Sequence, residues 1–148
     1  MNCTALHNRK HVVGFSAIGA VLAAAIVLSM NGSAWAEMQL DKQTSNEGGV
    51  VVDVVPQNVA PDAESWDFKI ALNTHTKPLS QDLAQVSVLV DAEGKTHAPL
   101  SWDGDPPGGH HRKGVLRFRP LPGKQDSLEL RISEVGGVPV RVFRWEMH

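Results

Sequence analysis

From Val50 onward the apolar residues recur at every second position, the period of a strand with one buried face. Val50, Val52 and Val54 share a face, with Asp53 opposite. Trp66, Phe68, Ile70 and Leu72 alternate with Asp67, Lys69 and Asn73, and Val86, Val88 and Val90 follow. The turn DAEGK leads to Leu100 and Trp102 on one face. Leu116 and Phe118 alternate with Arg117 and Arg119. PGKQD turns the chain into Leu128, Leu130 and Ile132, which alternate with Glu129 and Arg131, and GGVP turns it into VRVFRWEM. This last strand breaks its own pattern, because Val140 and Val142 lie on one parity and Phe143 and Trp145 on the other. A bulge near Val142 would turn all four inward. Without one, this is an edge strand with an exposed aromatic.

Seven short strands separated by turn signals predict an all-β fold, a single antiparallel sandwich. Its general architecture is immunoglobulin-like, without that class's paired cysteines. A seven-strand barrel is the alternative. The expected core is Trp66, Phe68, Ile70, Leu72, Val88, Trp102, Leu116, Phe118, Leu130 and Ile132. Only LSQDLAQ, from Leu79, suggests a short turn of helix.

Ahead of the sandwich, residues 1–36 have the three parts of an export signal. Arg9 and Lys10 precede the apolar run Val12 to Met30, and AWA at Ala34 to Ala36 is a small-x-small cleavage site. Cleavage after Ala36 predicts a periplasmic or secreted protein starting at Glu37. The alternative is retention as an N-terminal anchor, since about 19 apolar residues can just span a bilayer. Residues 37–49, polar and glycine-ended, read as a flexible leader, which leaves 50–148 as the sandwich domain.

Removing 36 of the 148 residues leaves 112, enough for one domain with its own core. The only cysteine, Cys3, goes with the signal, so disulfides, thiolate ligands and cysteine nucleophiles are excluded. The signal holds two of the fourteen cations and none of the sixteen acids, so the remainder has twelve cations against sixteen acids, a net charge of −4. No basic patch of the kind that grips nucleic acid is present.

Candidate chemistry concentrates in PPGGHHRKGVLRF, residues 106–118. Successive connections in an antiparallel sandwich alternate between its ends. His75, after the second strand, and His110 and His111, between the fourth and fifth, are therefore expected at one end. Asp103 and Asp105 lead into the same loop. His97 and His148 are expected at the other end. Imidazole and carboxylate ligands of this kind suit zinc or copper. Adjacent residues converge only in an irregular loop, which Gly108 and Gly109 permit through positive φ. The competing reading is a polar structural turn, with Asp103 and Asp105 forming Asx turns beside Gly104.

An enzyme is not expected. Ser101 lies near Asp103 but without a nucleophile-elbow motif, and Glu37 rather than histidine is the expected mature terminus. Arg112, Lys113, Arg117 and Arg119 form a cationic stripe that could meet an acidic partner or be paired across strands with Glu129, and Arg131 is expected on the adjacent strand. The stretches LNTHTKPLSQDL, SWDGDPPGGHHRKGVLRF and RVFRW together resemble a group of small exported bacterial proteins of unknown function with a GGHHR element. The resemblance covers most of Val50 to Met147 and implies an exported β domain, with no activity attached. The expectation is an exported accessory or interaction module with a protein partner in the envelope and no cofactor. The alternative is a small zinc- or copper-binding protein.

Overall fold

The computed structural model describes residues 40–147, so the expected export signal, residues 37–39 and His148 lie outside it. It is all-β, with nine strands instead of seven: β1 Gln43–Glu47, β2 Val50–Asn58, β3 Trp66–Thr74, β4 Ser87–Val90, β5 Thr96–His97, β6 Ser101–Gly104, β7 His111–Phe118, β8 Ser127–Ser133 and β9 Val140–Glu146. One sheet has the order β1-β2-β3-β7-β6 and the other β5-β4-β8-β9, and every pairing is antiparallel. The sheets share no ladder, so this is a sandwich and not a closed barrel. Their inner faces meet in one core, where Phe68 from the first sheet packs on Trp145 from the second at 5.9 Å between ring centroids. Setting aside β1 and the two-residue β5, the seven remaining strands run first-second-fifth-fourth in one sheet and third-sixth-seventh in the other.

The stretch expected to be a flexible leader enters the sheet as β1. Gly48 and Gly49, both at positive φ, form a two-residue turn of the sort that matches strand twist, and β1 pairs residue for residue with β2. Leu40 just before it is buried. Polar composition concealed this strand because β1 sits at a sheet edge, where few side chains need to be apolar.

Two faces differ from the sequence expectation, for one reason. Residues directly opposite on neighbouring strands share a face. Leu130 and Ile132 of β8 point inward, so their partners Leu89 and Ser87 do as well, and Val88, opposite Arg131, points out. The three alternating valines suggested the reverse. The short helix α1, Leu83–Val86, instead takes up Val86, its first turn capped by the Asp82 carboxylate accepting from Ala84 N at 3.0 Å.

On β9 the same rule places Arg141, Phe143 and Trp145 inside, opposite Ile132, Leu130 and Leu128. The register runs without a bulge, and neither aromatic is exposed, so neither alternative for this strand holds. Arg141 is 1% exposed, while Val140 and Val142 are 46% and 51% exposed. The strand keeps both aromatics buried at the expense of burying a cation and presenting two valines to solvent.

Trp102 is half-buried rather than central to the core. It lies over the facing pair Gly104 and Gly114, where a Cβ on either glycine would meet the partner's Cα at 2.5–2.6 Å and the indole at 2.7 Å.

Candidate functional site

The connections β3–β4, β6–β7 and β8–β9 meet at one end of the sandwich and are hydrogen-bonded to each other. Thr74 N donates to His110 O at 2.9 Å, Leu79 N to Gly109 O at 3.3 Å and Gly108 N to Leu79 O at 2.8 Å. Gln81 Nε2 donates to Glu134 O at 3.1 Å. Gly108 and Gly109 have φ of 121° and 68°, the left-handed values that let the loop fold back.

Two arginines pack into this end, and neither has a carboxylate of the described residues bonded to it. Arg112 donates to the carbonyls of Leu79 (3.0 Å), Gln81 (2.7 Å) and Asp105 (3.2 Å), and its guanidinium lies 5.8 Å from the Trp102 ring centroid. Arg141 donates to the carbonyls of Ser45 (3.4 Å), Glu47 (2.7 Å) and Val135 (3.2 Å), and to Ser45 Oγ at 2.7 Å. Burial holds both guanidinium pKa values below the usual arginine range, against the attraction of Asp105 and Asp82 for Arg112 and of Glu47 for Arg141. The Nε of each is buried without a partner. Arg141 bridges the edges of the two sheets, β1 and β9. The Gln43 side chain extends that junction, since its amide bonds both the N–H and the carbonyl of Arg144, and Trp145 Nε1 donates to Asp41 O at 2.7 Å.

Arg112 therefore leaves the cationic stripe. It shares the inward face of β7 with Gly114, Leu116 and Phe118, and at 2% exposure it cannot meet a partner. Lys113 and Arg119 are exposed. Arg117 is divided between Asp67 at 3.7 Å and Asp103 at 3.4 Å. Arg131 does not continue the row, because β8 belongs to the other sheet. There Glu129 is the anion bonded to both Arg131, at 2.6 Å, and Arg144.

Of the candidate ligands, His75 and His111 come together, with ring centroids 6.4 Å apart and planes at 84°. Both are exposed, as is His110. His111 Nδ1 is 2.9 Å from Asn73 Oδ1, and Asn73 is its direct partner across the β3–β7 ladder. The carboxylates are elsewhere engaged. Asp103 pairs with Arg117, and Asp105 Oδ2 accepts from Lys113 N at 2.9 Å. The five-residue ligand set of His75, His110, His111, Asp103 and Asp105 is thus not assembled. Among the described residues no group of three or more His, Cys, Asp or Glu could hold a metal. His97, on β5, bonds Asp91 at 2.7 Å. Asn73 escaped the sequence reading. Its signal was its place two residues before His75 on an outward face.

The outer face of the second sheet was also missed. Val88, Arg131 and Val142 form one cross-strand row, and Val90, Glu129 and Arg144 the next. A shallow depression of about 440 Å³ adjoins it, lined by Asp91, Asp126, Glu129, Arg131, Arg144 and Glu146. No helix among the described residues is long and apolar enough to cross a membrane. Neither a protein-family model, nor a curated protein, nor a solved structure matches the chain.

Proposed function

We propose that the protein is an exported accessory domain that binds a protein partner through the outer face of the β5-β4-β8-β9 sheet. The observation behind this reading is the inverted β9, which displays Val140 and Val142 at 46% and 51% exposure while Arg141 is buried. Single exposed valines are ordinary. Here two stand side by side on one strand, with half-buried Val88 in the same row as Val142. Arg131 and Arg144 flank them, both oriented by the buried Glu129. Such pre-ordering lowers the entropy lost when a side chain is fixed at an interface. The complementary surface is apolar opposite the valines and carries hydrogen-bond acceptors opposite the arginines. The immunoglobulin-like description rests on the four-plus-three strand order. Export rests on the tripartite start of the chain, as does the likeness to small exported GGHHR proteins on its quoted stretches.

The test uses a photo-crosslinking side chain at position 142 in cells producing the full chain, with position 113 on the other sheet as control. The expected result is one reproducible adduct from position 142, lost with Val140→Asp, and a mature mass beginning at Glu37. Identical adducts from both faces, none from either, or an adduct of twice the chain's own mass would overturn the reading.

A further inference from the structure

The outer face of the first sheet carries a second feature, on the opposite side of the sandwich from the proposed partner surface and independent of it. We propose that His75 and His111 form a two-histidine site for a divalent transition ion of the zinc(II) or copper(II) class, with water in the remaining positions. Three observations carry this. The rings are near neighbours on different chain segments, 6.4 Å between centroids. A metal about 2.0–2.1 Å from each ring nitrogen at a tetrahedral angle places two imidazole centroids roughly 5 Å apart. A closure of about 1 Å is within reach of two exposed side chains by small χ rotations.

The second observation is the state of His111. Asn73 Oδ1 can only accept, so His111 Nδ1–H donates, and in the neutral ring Nε2 then carries the free lone pair. Metal-binding histidines are commonly oriented this way, with the second nitrogen donating to an oxygen that fixes the tautomer and raises the basicity of the first. The third is the backbone around His75. Thr74 N donates to His110 O, and Thr74 Oγ1 accepts from Thr76 N at 3.2 Å and Lys77 N at 3.1 Å while bonded to Gly49 O at 2.8 Å. Both neighbours of His75 are pinned, one of them to the residue preceding His111. The Cα positions of the two histidines are fixed before any ion arrives, so binding orders only the two side chains.

The ligand is an ion that prefers imidazole and accepts two protein ligands plus solvent. Magnesium and calcium, which demand oxygen donors, are excluded by the same chemistry. His110 takes no part through its backbone, whose carbonyl already accepts from Thr74 N, and the site does not include its ring.

The test measures zinc chloride and copper sulfate binding to the full chain by competition with a chromogenic chelator, together with electron paramagnetic resonance of the copper form. The expected result is one site showing two nitrogen couplings. Its affinity should fall at least about tenfold in His75→Asn and in His111→Asn, and by roughly tenfold in Asn73→Ala, the usual scale for a residue that orients a metal ligand. His97→Asn and His110→Asn serve as controls for the other histidines and should match the wild type. Circular dichroism checks each fold. If His111→Asn unfolds, His75→Asn, in a loop, decides alone. Unchanged affinity in His75→Asn, or an equal loss in His97→Asn, would overturn the site and leave an edge-to-face packing of two rings.

Discussion

Replacing Arg141 with leucine tests whether the buried cation joins the two sheets or is merely tolerated. The substitution keeps much of the apolar stem and removes the polar fork. Val135 is fully buried, so its carbonyl loses a 3.2 Å bond with little access to water. An acceptor orphaned in this way costs about 1–3 kcal/mol. Glu47 is exposed and Ser45 half-buried, so water can replace part of what their carbonyls lose, and each contributes roughly 0.5–1.5 kcal/mol. Against this stands the relief of a buried guanidinium whose Nε has no partner, which offsets roughly a third to a half of the sum, since apolar replacements of buried charges are often neutral or better. The net expectation is a loss of about 2–3 kcal/mol in urea unfolding. The more telling readout is local. Hydrogen exchange should accelerate across β1 and its hairpin with β2, while the β3–β7 ladder keeps its protection relative to global stability. A variant as stable as wild type with β1 protection unchanged would refute the bridging role.

Three further outcomes are expected. Phe118→Ala, at a fully buried site where the ring stands edge-on to Phe68 at 5.6 Å, should lose about 3–5 kcal/mol in the same assay, and a loss below about 1 kcal/mol would contradict the facing of β7. Gly114→Ala should part β6 from β7 and cost about 1–3 kcal/mol by overpacking, with a shift in Trp102 fluorescence; an unshifted spectrum at full stability would show that the close approach to Gly104 is dispensable. Stability should also fall in acid. The hydrogen bond from His97 holds the Asp91 carboxyl below its ordinary 3.8 in spite of burial. In Glu129, burial pushes the carboxyl up, but hydrogen bonds from Arg144 and Arg131 outweigh it and leave it below its ordinary 4.5. Both folded-state values are depressed, so their contribution is complete above those ordinary values and is lost as pH falls through the folded ones. Urea midpoints of Glu129→Gln followed below pH 4.5 should decline less steeply than wild type, and parallel curves would refute the assignment.

Period-two alternation was enough to read β2, β3, β7 and β8, because each has one face in the core and the other in solvent. It failed where the face is decided by a partner strand. Val86, Val88 and Val90 are equivalent by pattern, and only the ladder to β8 reveals that Leu89 is the inward residue. VRVFRW allowed a bulge or a flat strand, and the choice depended on whether Arg141 could find acceptors, which come from Ser45 and Glu47 about a hundred residues earlier. The same distance explains the misreading of β1, whose polar side chains serve the opposite terminus. At the histidine end, chain parity brought the correct loops together. It could not show that Asp103 and Asp105 are taken by Arg117 and Lys113, nor that Arg112 turns inward, because those depend on side-chain partners rather than on strand direction.

The junction of β1 with β9 also orders events in time. Asp41, Gln43, Ser45 and Glu47 are bonded to residues between Arg141 and Trp145, sequence separations of 94 to 104. Closing a loop of about a hundred residues costs roughly 4 kcal/mol from the logarithmic term alone, and local contacts cannot repay it. Of the nine strands β1 is made first, yet the strand it is bridged to across the sheet edges, β9, is made last. The bridge between β1 and β9 cannot form until β9 has been synthesised, so the domain stays unlocked along this edge until its ninth strand is in place.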